Sequence, residues 1–366
     1  MKVSIGSKII DGPWGGGNLF VSNLSSYLKE LGHEVIFNLS DEDIDIILLT
    51  DPRSRKESTS TFNHLEIQKY KKLVNNNVVV IQRINECDER KGTTNINKFY
   101  LEVSNIADHV IFVSSWLENI YLNLGLNKNK SSVILAGADE KIFNFDKTIE
   151  PKKPKQFKLV THHWSSHKNK GFETYELIDK LISNEKWKEK IDFTYIGNIS
   201  NEYKFQNIKL IEPLAGKNLA EELKRHHIYV TGSLNEPSGN HHIEAAQCGL
   251  PILYINSGGI PEYCEGFGIA FDENFEERLE DMINNYSYYK TKLVKYPRSS
   301  TKMCNEYYDL FKKLMNEQKP YKSKFSLQKD LFLIKHKFYK HFRDNYYFSL
   351  KKFISQKLKK FLVKNG

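Results

Sequence analysis

The sequence predicts an α/β protein built from two Rossmann-like domains that face each other across a cleft, followed by a basic helical tail. Strand-like and helix-like segments alternate from the N-terminus, a Lys/Pro-rich connector at about 146–156 interrupts them, and the same alternation then starts again. Positive charge is concentrated in the last part of the chain. We therefore predict domains at 1–150 and 151–318 and a tail at 319–366.

In the first half, strand and helix patterns follow one another in a regular order. KVSIGSKI and HEVIFNL are typical of strands, and between them GGGNLFVSNLSSYLKELG predicts a glycine-rich turn and a helix that ends at Gly32. IDIILLT, VVVIQR, HVIFVS and SSVILAG are further predicted strands, and a helix is predicted at 116–124. Strands separated by helices indicate a parallel sheet covered by helices.

The second half repeats this pattern with four predicted strands, FKLVTHHW, DFTYIGN, IYVTGS and PILYINSGG. Helices are predicted near 171–183, 217–226 and 241–248. In open parallel sheets, ligands bind beyond the carboxyl ends of the strands. Polar residues that follow strands are therefore the first candidates for a functional site.

Composition excludes several classes of protein. Four cysteines without a C-x-x-C pair indicate reduced thiols and no zinc site. The N-terminus does not have the pattern of a signal peptide, and no run of about 18 apolar residues predicts a membrane span. The Asp43-x-Asp45 pair matches a metal motif in spacing only, so we expect no metal. These features favour a cytoplasmic protein.

The stretch NEPSGNHHIEAAQCGLP places two glutamates eight residues apart. A helix is expected to begin at Ser238 or Gly239, with Ser238 as its N-cap and Gly249 at its end. Glu236 then precedes the helix, and Glu244 lies within it at roughly 9 Å from the helix start. The positive helix N-terminus between them suits a diphosphate. The spacing fits a ligand that carries a sugar, an anionic centre and a ribose in a row.

Glu236-x7-Glu244, followed by AAQCGLP and SGGIPEYCEGFG, resembles the donor-site signature of retaining GT-B glycosyltransferases of the group-1 family, GT4. GGGNLFVSNLSSYLKELGHEV is similar to the glycine loop and first helix of that family, VIFVSSW and ILAGADEKIFN to its central segment, and NKGFETYELIDKL to its Lys-Gly helix start. The resemblance covers about residues 1–315 and implies a GT-B fold.

The resemblance also implies roles for the matching residues. Glu236 and Lys170 would be catalytic: Glu236 would lie near the transferred hexose, and Lys170 would stabilise the charge of the departing diphosphate. Glu244 would bind the ribose. The remaining donor-binding residues would be Ser238, Gly239, Asn240 and His241 along the sugar and diphosphate, with Gly197 and Asn198 at a neighbouring strand end.

Two departures from the family pattern affect the donor site. The arginine that commonly precedes the Lys-Gly pair is missing from THHWSSHKNKG, and Lys168 is the expected substitute. GNHH replaces the usual Gly-Phe-Gly stretch, so His241 and His242 either recognise sugar hydroxyls or are solvated residues of a helix start.

The segment QRINECDERKG, which follows a first-half strand, is the predicted acceptor side. Arg83 and Arg90 would hold an anionic acceptor, while Asn85 and Asp88 would hydrogen-bond its hydroxyls. The competing interpretation is a surface loop of mixed charge. Two glycines that follow the first strand complete the acceptor-side set, either as a tight turn alone or in close approach to a ligand: Gly16 and Gly17.

These observations predict a retaining, metal-independent hexosyltransferase that uses a UDP- or GDP-sugar as co-substrate and needs no other cofactor. The acceptor would be a glycan or a lipid-linked sugar, in the synthesis of a cell-surface polysaccharide or glycolipid. A non-hydrolysing sugar-nucleotide epimerase on the same fold is the first alternative. A nucleic-acid-binding protein that uses the basic tail is the second, although the body has no recognisable nucleic-acid module.

The tail at 319–366 carries 14 Lys/Arg and two Asp, a local charge of +12; since the whole chain is +9, the body is −3. Its cations are interleaved with aromatic residues, and Leu331, Ile334, Phe338 and Phe342 recur at helical spacing. This pattern predicts an amphipathic helix on an anionic membrane surface, at the cytoplasmic face. The alternative is a helix packed on the body followed by a solvated end.

Overall fold

The computed structural model of the protein describes residues 1–10, 15–53, 59–148, 152–316 and 326–342. Two six-stranded parallel sheets, one in each half of the chain, form its framework. Helices cover both faces of each sheet, so the predicted pair of Rossmann-like units is confirmed. The two sheets turn their functional edges toward a shared cleft.

The first sheet has the strand order β2-β1-β3-β4-β5-β6. Its strands are β1 (Lys2–Ile5), β2 (Glu34–Ile36), β3 (Ile46–Leu49), β4 (Val79–Ile84), β5 (His109–Phe112) and β6 (Ser131–Val133). The helices of this half are α1 (Gly16–Glu30), α2 (His64–Leu73), α3 (Asp88–Lys91), α4 (Ile96–Ser104) and α5 (Ser115–Asn123).

The second sheet has the order β12-β11-β10-β7-β8-β9. Its strands are β7 (Phe157–His163), β8 (Ile191–Gly197), β9 (Lys209–Ile211), β10 (Ile228–Thr231), β11 (Ile252–Ile255) and β12 (Gly268–Phe271). The helices of this half are α6 (Phe172–Ile182), α7 (Gly216–Lys224), α8 (Asn240–Gln247), α9 (Ile260–Cys264), α10 (Phe275–Asn284) and α11 (Tyr286–Lys292).

The central strands are apolar on both faces because helices bury both sides of each sheet. Along β3, Ile46 and Leu48 belong to the core on one face, and Ile47 and Leu49 belong to the core on the other. Successive side chains of a strand point to opposite faces, which divides this run between two cores. A continuous apolar run, rather than an alternating one, is what a parallel sheet requires.

Two strands of the second sheet were not predicted, β9 and β12. Both lie at the edges of the sheet, and β9 is partly exposed along its length. An edge strand pairs on one side only and is covered less completely, so its sequence needs fewer apolar residues. The pattern that identified the central strands is therefore weak at these two positions.

A helix that follows the second sheet in sequence packs on the first. Helix α12 (Ser300–Asn316) places Met303, Tyr307 and Phe311 in the same core as α1 and β1. The sequence analysis grouped this segment with the second half because it follows that half along the chain. Its packing instead joins it to the first half.

The described part of the tail also lies against the first half. Helix α13 (Leu327–Phe342) buries Phe332 beside Tyr70 of α2, and Lys329 pairs with Glu42 at 2.7 Å. The opposite face carries four exposed apolar side chains: Leu327, Leu331, Ile334 and Phe338. The predicted helix is confirmed, while the tail segments 319–325 and 343–366 lie outside the described residues. Among the described helices, none is long and apolar enough to cross a bilayer.

Helix α9 of the second half holds the start of α5 in the first half. The Glu262 carboxylate accepts hydrogen bonds from the backbone N–H groups of Ser115 and Trp116, both at 2.8 Å. A carboxylate at a helix N-terminus satisfies free N–H groups and interacts favourably with the helix dipole. Tyr263 adds a hydrogen bond to the Val113 carbonyl. These contacts join one half to the other.

Candidate active site

A cleft of about 580 Å³ lies between the two sheets. The first half contributes the Gly15–Gly17 turn and the residues after β4, and the second half contributes the ends of β7 and β8 and the start of α8. All of these are carboxyl-terminal ends of strands or amino-terminal ends of helices. The cleft is therefore where the α/β architecture places ligands.

Helix α8 begins at Asn240, and its N-cap is Gly239 with φ +74°. The expectation that Ser238 caps this helix is wrong: no side chain caps it, and its first turn holds no acidic residue. Glycine allows the left-handed turn at this point, since a side chain there would be strained and would meet the ring of His241. The N–H groups at the helix start thus remain available to an anion in the cleft.

Glu236 lies at the centre of an ion-pair network that joins the two halves. One of its oxygens is 2.5 Å from Lys170 Nζ, and the other is 3.2 Å from Arg90 Nε. Arg90 also donates to both oxygens of Glu86 at 3.2 Å, and Lys91 pairs with Glu86 at 3.2 Å. Burial by itself would raise the pKa of Glu236, but Lys170 and Arg90 outweigh it and lower that pKa to about 2. Glu236 is therefore ionised.

The position of Lys170 depends on a close backbone approach. Lys170 ends a short 3₁₀ turn, Lys168–Lys170, and the following Gly171 has φ +86° and packs directly on the backbone of Gly232 after β10. A Cβ at Gly171 would lie 2.4 Å from the carbonyl carbon of Gly232. Asn169 in the same turn donates to the Arg90 carbonyl at 3.0 Å. The turn thus holds Lys170 in the cleft and contacts the opposite half.

Glu244 lies one helical turn inside α8 and is 5% exposed. Its carboxylate is 2.9 Å from Nε2 of His162, the penultimate residue of β7. His162 lies 82 residues from Glu244 in sequence, so nothing local indicates this pair. The hydrogen bond orients the carboxylate at the edge of the cleft, which suits recognition of a vicinal diol.

Three further histidines form a buried cluster beside this pair. His163 contacts Tyr175 Oη at 2.6 Å, and His241 contacts Thr231 Oγ1 at 3.0 Å. Burial lowers the pKa of His163 and of His241 well below the usual value, and lowers the pKa of His242 to about 3. These rings are neutral at pH 7. The interpretation of His241 and His242 as solvated residues is wrong, because both are buried.

On the first-half side, Arg83 lies near the end of β4 and is 5% exposed. Its guanidinium carbon is 4.1 Å from the centre of the Phe20 ring of α1. Asn85 and Glu86 follow it along the lining of the cleft. Gly16, at the start of α1, lies so close to α8 that a Cβ there would come within 2.9 Å of Asn240 Oδ1. The glycine turn and the start of α8 therefore meet across the cleft.

Comparison with known proteins identifies the family that this site resembles. Residues 176–298 match the family model described as glycosyl transferases group 1. The fold is similar to that of HepE from Anabaena, whose crystal structure was determined in complex with UDP and glucose. The two structures align with a TM-score of 0.61 and 12% sequence identity, over 85% of this chain and 99% of HepE. Residues 176–298 are thus similar to group 1 glycosyl transferases, and the chain has a GT-B fold.

This chain is also similar to two other known proteins. Sucrose-phosphate synthase from Thermosynechococcus elongatus aligns at a TM-score of 0.60 and 15% identity, covering 86% of this chain and 99% of that protein. The phosphatidylinositol N-acetylglucosaminyltransferase gpi3 subunit of Schizosaccharomyces pombe is 25% identical over 205 residues, which are 53% of this chain and 44% of that subunit. The chain thus spans less than half the length of this relative.

The GT-B cleft brings together most of the residues that the sequence predicted. Lining residues from both halves include Gly16, Gly17, Arg83, Asn85, Lys170, Gly197, Glu236, Ser238, Gly239, Asn240, His241 and Glu244. Several contacts could not be anticipated because their partners are distant in sequence. His162 and Glu86 are the clearest examples, since His162 lies at the end of β7 and Glu86 follows β4, and neither carries a motif of its own.

Three predicted residues lie outside the lining of the GT-B cleft. Asp88 accepts from the N–H groups of Ile96 at 2.9 Å and Asn97 at 3.0 Å, so it holds the start of α4 instead. Asn198 donates to the Trp164 carbonyl at 2.6 Å. The third residue, Lys168, is exposed in its 3₁₀ turn.

No cluster of three or more His, Cys, Asp or Glu side chains that could hold a metal ion occurs within the described residues. Asp43 and Asp45, the pair with metal-like spacing, both contact Lys2: Asp43 binds its ammonium group at 2.7 Å, and Asp45 accepts from its backbone N–H at 2.7 Å. This pair stabilises the start of β1, far from the cleft in the sheet.

Proposed function

We propose that this protein is a retaining, metal-independent glycosyltransferase of the GT4 family, which transfers a hexose from a UDP- or GDP-sugar to a glycan or lipid-linked acceptor. One observation carries the proposal: Lys170, Glu236 and the uncapped start of α8 converge on one cleft, with Glu244 a short distance along the helix. This arrangement suits the three parts of a nucleotide sugar.

The reaction breaks the bond between the anomeric carbon and the diphosphate oxygen and forms a bond from that carbon to an acceptor hydroxyl oxygen. Negative charge develops on the departing diphosphate, and the hydroxyl proton goes to that diphosphate. Lys170 and the N–H groups of α8 would stabilise this charge. Glu236, ionised and fixed by two cations, would lie against the hexose, where positive charge develops at the anomeric carbon.

Arg90 is the second cation that we propose for the diphosphate. The family arginine is missing, and the predicted substitute, Lys168, is exposed outside the cleft lining. Arg90 lines the cleft, and its Nε is 3.2 Å from Glu236. Its Nη2 forms no hydrogen bond with any described residue, so this group can donate a hydrogen bond to a phosphate oxygen. A nucleotide sugar whose diphosphate contacts Lys170 and Arg90 would therefore contact both halves of the protein.

We further propose that the acceptor is lipid-linked and that the enzyme works at the cytoplasmic face of an anionic membrane, in the synthesis of a glycolipid or surface polysaccharide. The name of the relative from Schizosaccharomyces pombe, a phosphatidylinositol N-acetylglucosaminyltransferase subunit, includes a lipid, which supports a lipid-linked acceptor here. The exposed stripe Leu327, Leu331, Ile334 and Phe338 on α13, within a tail of charge +12, has the pattern of an interfacial helix.

A panel of nucleotide sugars tests the proposed reaction. The correct donor should raise the unfolding temperature, because a ligand bound only by the folded state stabilises it. Transfer from that donor to an acceptor, followed by NMR assignment of the anomeric configuration, would test retention. An epimer formed from the donor alone would favour the epimerase alternative. Absence of stabilisation and of transfer across UDP- and GDP-sugars would contradict the proposal.

A further inference from the structure

Arg83 differs from the other cations of the cleft because no described carboxylate pairs with it. Arg53 pairs with Asp51 at 2.7 Å, while Arg90 and Lys170 both pair with Glu236. Arg83 is 5% exposed, and its Nε has no hydrogen-bond partner among the described residues. Taking a charge out of water without a partner is costly. Such a group points to a ligand that supplies the missing negative charge.

The surroundings of Arg83 favour an anion. The Phe20 ring holds the guanidinium at 4.1 Å without neutralising it. The Tyr307 hydroxyl lies beside it, and apart from this contact with Arg83 it has no hydrogen-bond partner among the described residues. Burial raises the pKa of Tyr307 to about 12, so this hydroxyl keeps its proton and can donate it. Two polar groups that donate hydrogen bonds therefore meet at one place.

The N-terminus of α1 adds a third source of positive potential. This helix has 15 residues, Gly15 is its N-cap, and neither a capping side chain nor an acidic residue occupies its first turn. Phe20, which contacts Arg83, is four residues after Gly16, or about 6 Å along the helix. Gly16 and Gly17 line the same cleft as Arg83, and no described residue accepts a hydrogen bond from their N–H groups.

We propose that Arg83 and the N-terminus of α1 form an anion subsite that binds a phosphate or carboxylate group of the acceptor. The term acceptor rests on the proposed function; the anion subsite itself does not. Lys170, Glu236 and Glu244 belong to the second half, whereas Arg83 and α1, like the proposed donor cation Arg90, belong to the first. A donor diphosphate on Lys170 and Arg90 leaves Arg83 free for a second anion.

Stability provides the first test. Replacing Arg83 by Met removes an uncompensated charge while keeping most of the volume, so the ligand-free variant should unfold at the same urea concentration as the wild type or at a higher one. Arg278→Met is the matched control, because Arg278 pairs with Asp281 on the surface of α10. A clear loss of stability confined to Arg83→Met would show that Arg83 serves the fold, and would overturn the subsite.

Binding provides the second test, with inorganic phosphate and glucuronate as separate probes. Calorimetric titration in the presence of saturating UDP or GDP, and also without nucleotide, should give a Kd at least tenfold higher for Arg83→Met than for the wild type and Arg278→Met. Arg83→Lys should restore part of the affinity. The probe that binds more tightly identifies the anion as phosphate or carboxylate. Equal Kd values for the wild type and Arg83→Met with both probes would contradict the proposal.

Turnover provides the third test. With a stabilising donor and a matched acceptor pair that differs only in its anionic group, Arg83→Met should raise the ratio of KM for the anionic acceptor to KM for the neutral acceptor at least tenfold, while the Kd of UDP stays at the wild-type value. Loss of UDP binding would assign Arg83 to the donor and overturn the acceptor assignment. A wild type that binds phosphate through Arg83 but transfers no sugar would refute the proposed function and leave the anion subsite standing.

Discussion

Exchanging Arg90 or Lys168 for Met decides which of them assists Lys170 at the diphosphate. Arg90 lines the cleft and lies 3.2 Å from Glu236, while Lys168 is exposed and contributes nothing to the lining. One charge-assisted hydrogen bond to a phosphate contributes about 1.5–3 kcal/mol. Because 1.4 kcal/mol corresponds to tenfold in Kd, we expect Arg90→Met to weaken nucleotide binding by roughly 10- to 150-fold.

The same exchange should cost little stability. Removing Arg90 leaves Glu236 paired with Lys170 at 2.5 Å and Glu86 paired with Lys91 at 3.2 Å. Breaking a buried pair costs about 3–5 kcal/mol when a charge is left alone, so we expect a smaller loss here, about 1–2 kcal/mol. Urea unfolding without ligand measures this loss separately from nucleotide binding.

Isothermal calorimetry with UDP and GDP is the deciding assay, since it does not require the acceptor. Lys168→Met should bind nucleotide within about twofold of the wild type, because an exposed cation outside the cleft contributes little at physiological salt. The reasoning about Arg90 is refuted if Lys168→Met loses tenfold or more in affinity while Arg90→Met binds normally. That result would identify Lys168, the residue predicted from the sequence, as the second cation at the diphosphate.

Glu244→Ala should weaken nucleotide binding while Glu236→Ala should lower kcat more than affinity, because in the proposed reaction Glu236 would lie at the reacting centre; similar, near-normal kinetics in both would remove the donor-site assignment. Lys170→Ala should cost on the order of 3 kcal/mol in kcat/KM, and full activity would contradict its role. In the unfolded chain His242 gains a proton below its usual pKa of 6.5, but in the folded protein only near 3, so its neutral burial reduces stability as pH falls between these values. Urea unfolding from pH 7 to 4 should therefore show that the stability of His242→Asn depends on pH less steeply than that of the wild type, by up to about 1.4 kcal/mol per pH unit below about pH 5.5, and parallel curves would argue against this. Replacing Leu331 and Phe338 of the exposed α13 stripe by Glu should release the protein from anionic vesicles without lowering its unfolding temperature, whereas unchanged vesicle binding would exclude this face.

Local sequence patterns predicted most of the residues that the second half of the chain contributes to the cleft. Gly249 ends α8 with φ +80°, as the Gly-x-Pro sequence indicated, and the two glutamates take the positions that helical geometry requires. The N-cap residue of α8 could not be predicted correctly from the sequence. Ser238 has the residue type that usually caps a helix, but Gly239 takes that position because the chain turns there with a positive φ.

The sequence by itself determined the six strands of the first sheet and the four inner strands of the second, because backbone hydrogen bonding and side-chain periodicity act over a few residues. It also determined which polar residues end the strands. Only the tertiary structure decided which of these residues meet: Arg90 reaches Glu236 across the cleft, and His162 reaches Glu244 from the neighbouring strand. Such pairs form where two sheets and their covering helices pack, and no local pattern records that packing. For the same reason the missing partner of Arg83 became visible only once the residues around it were in place.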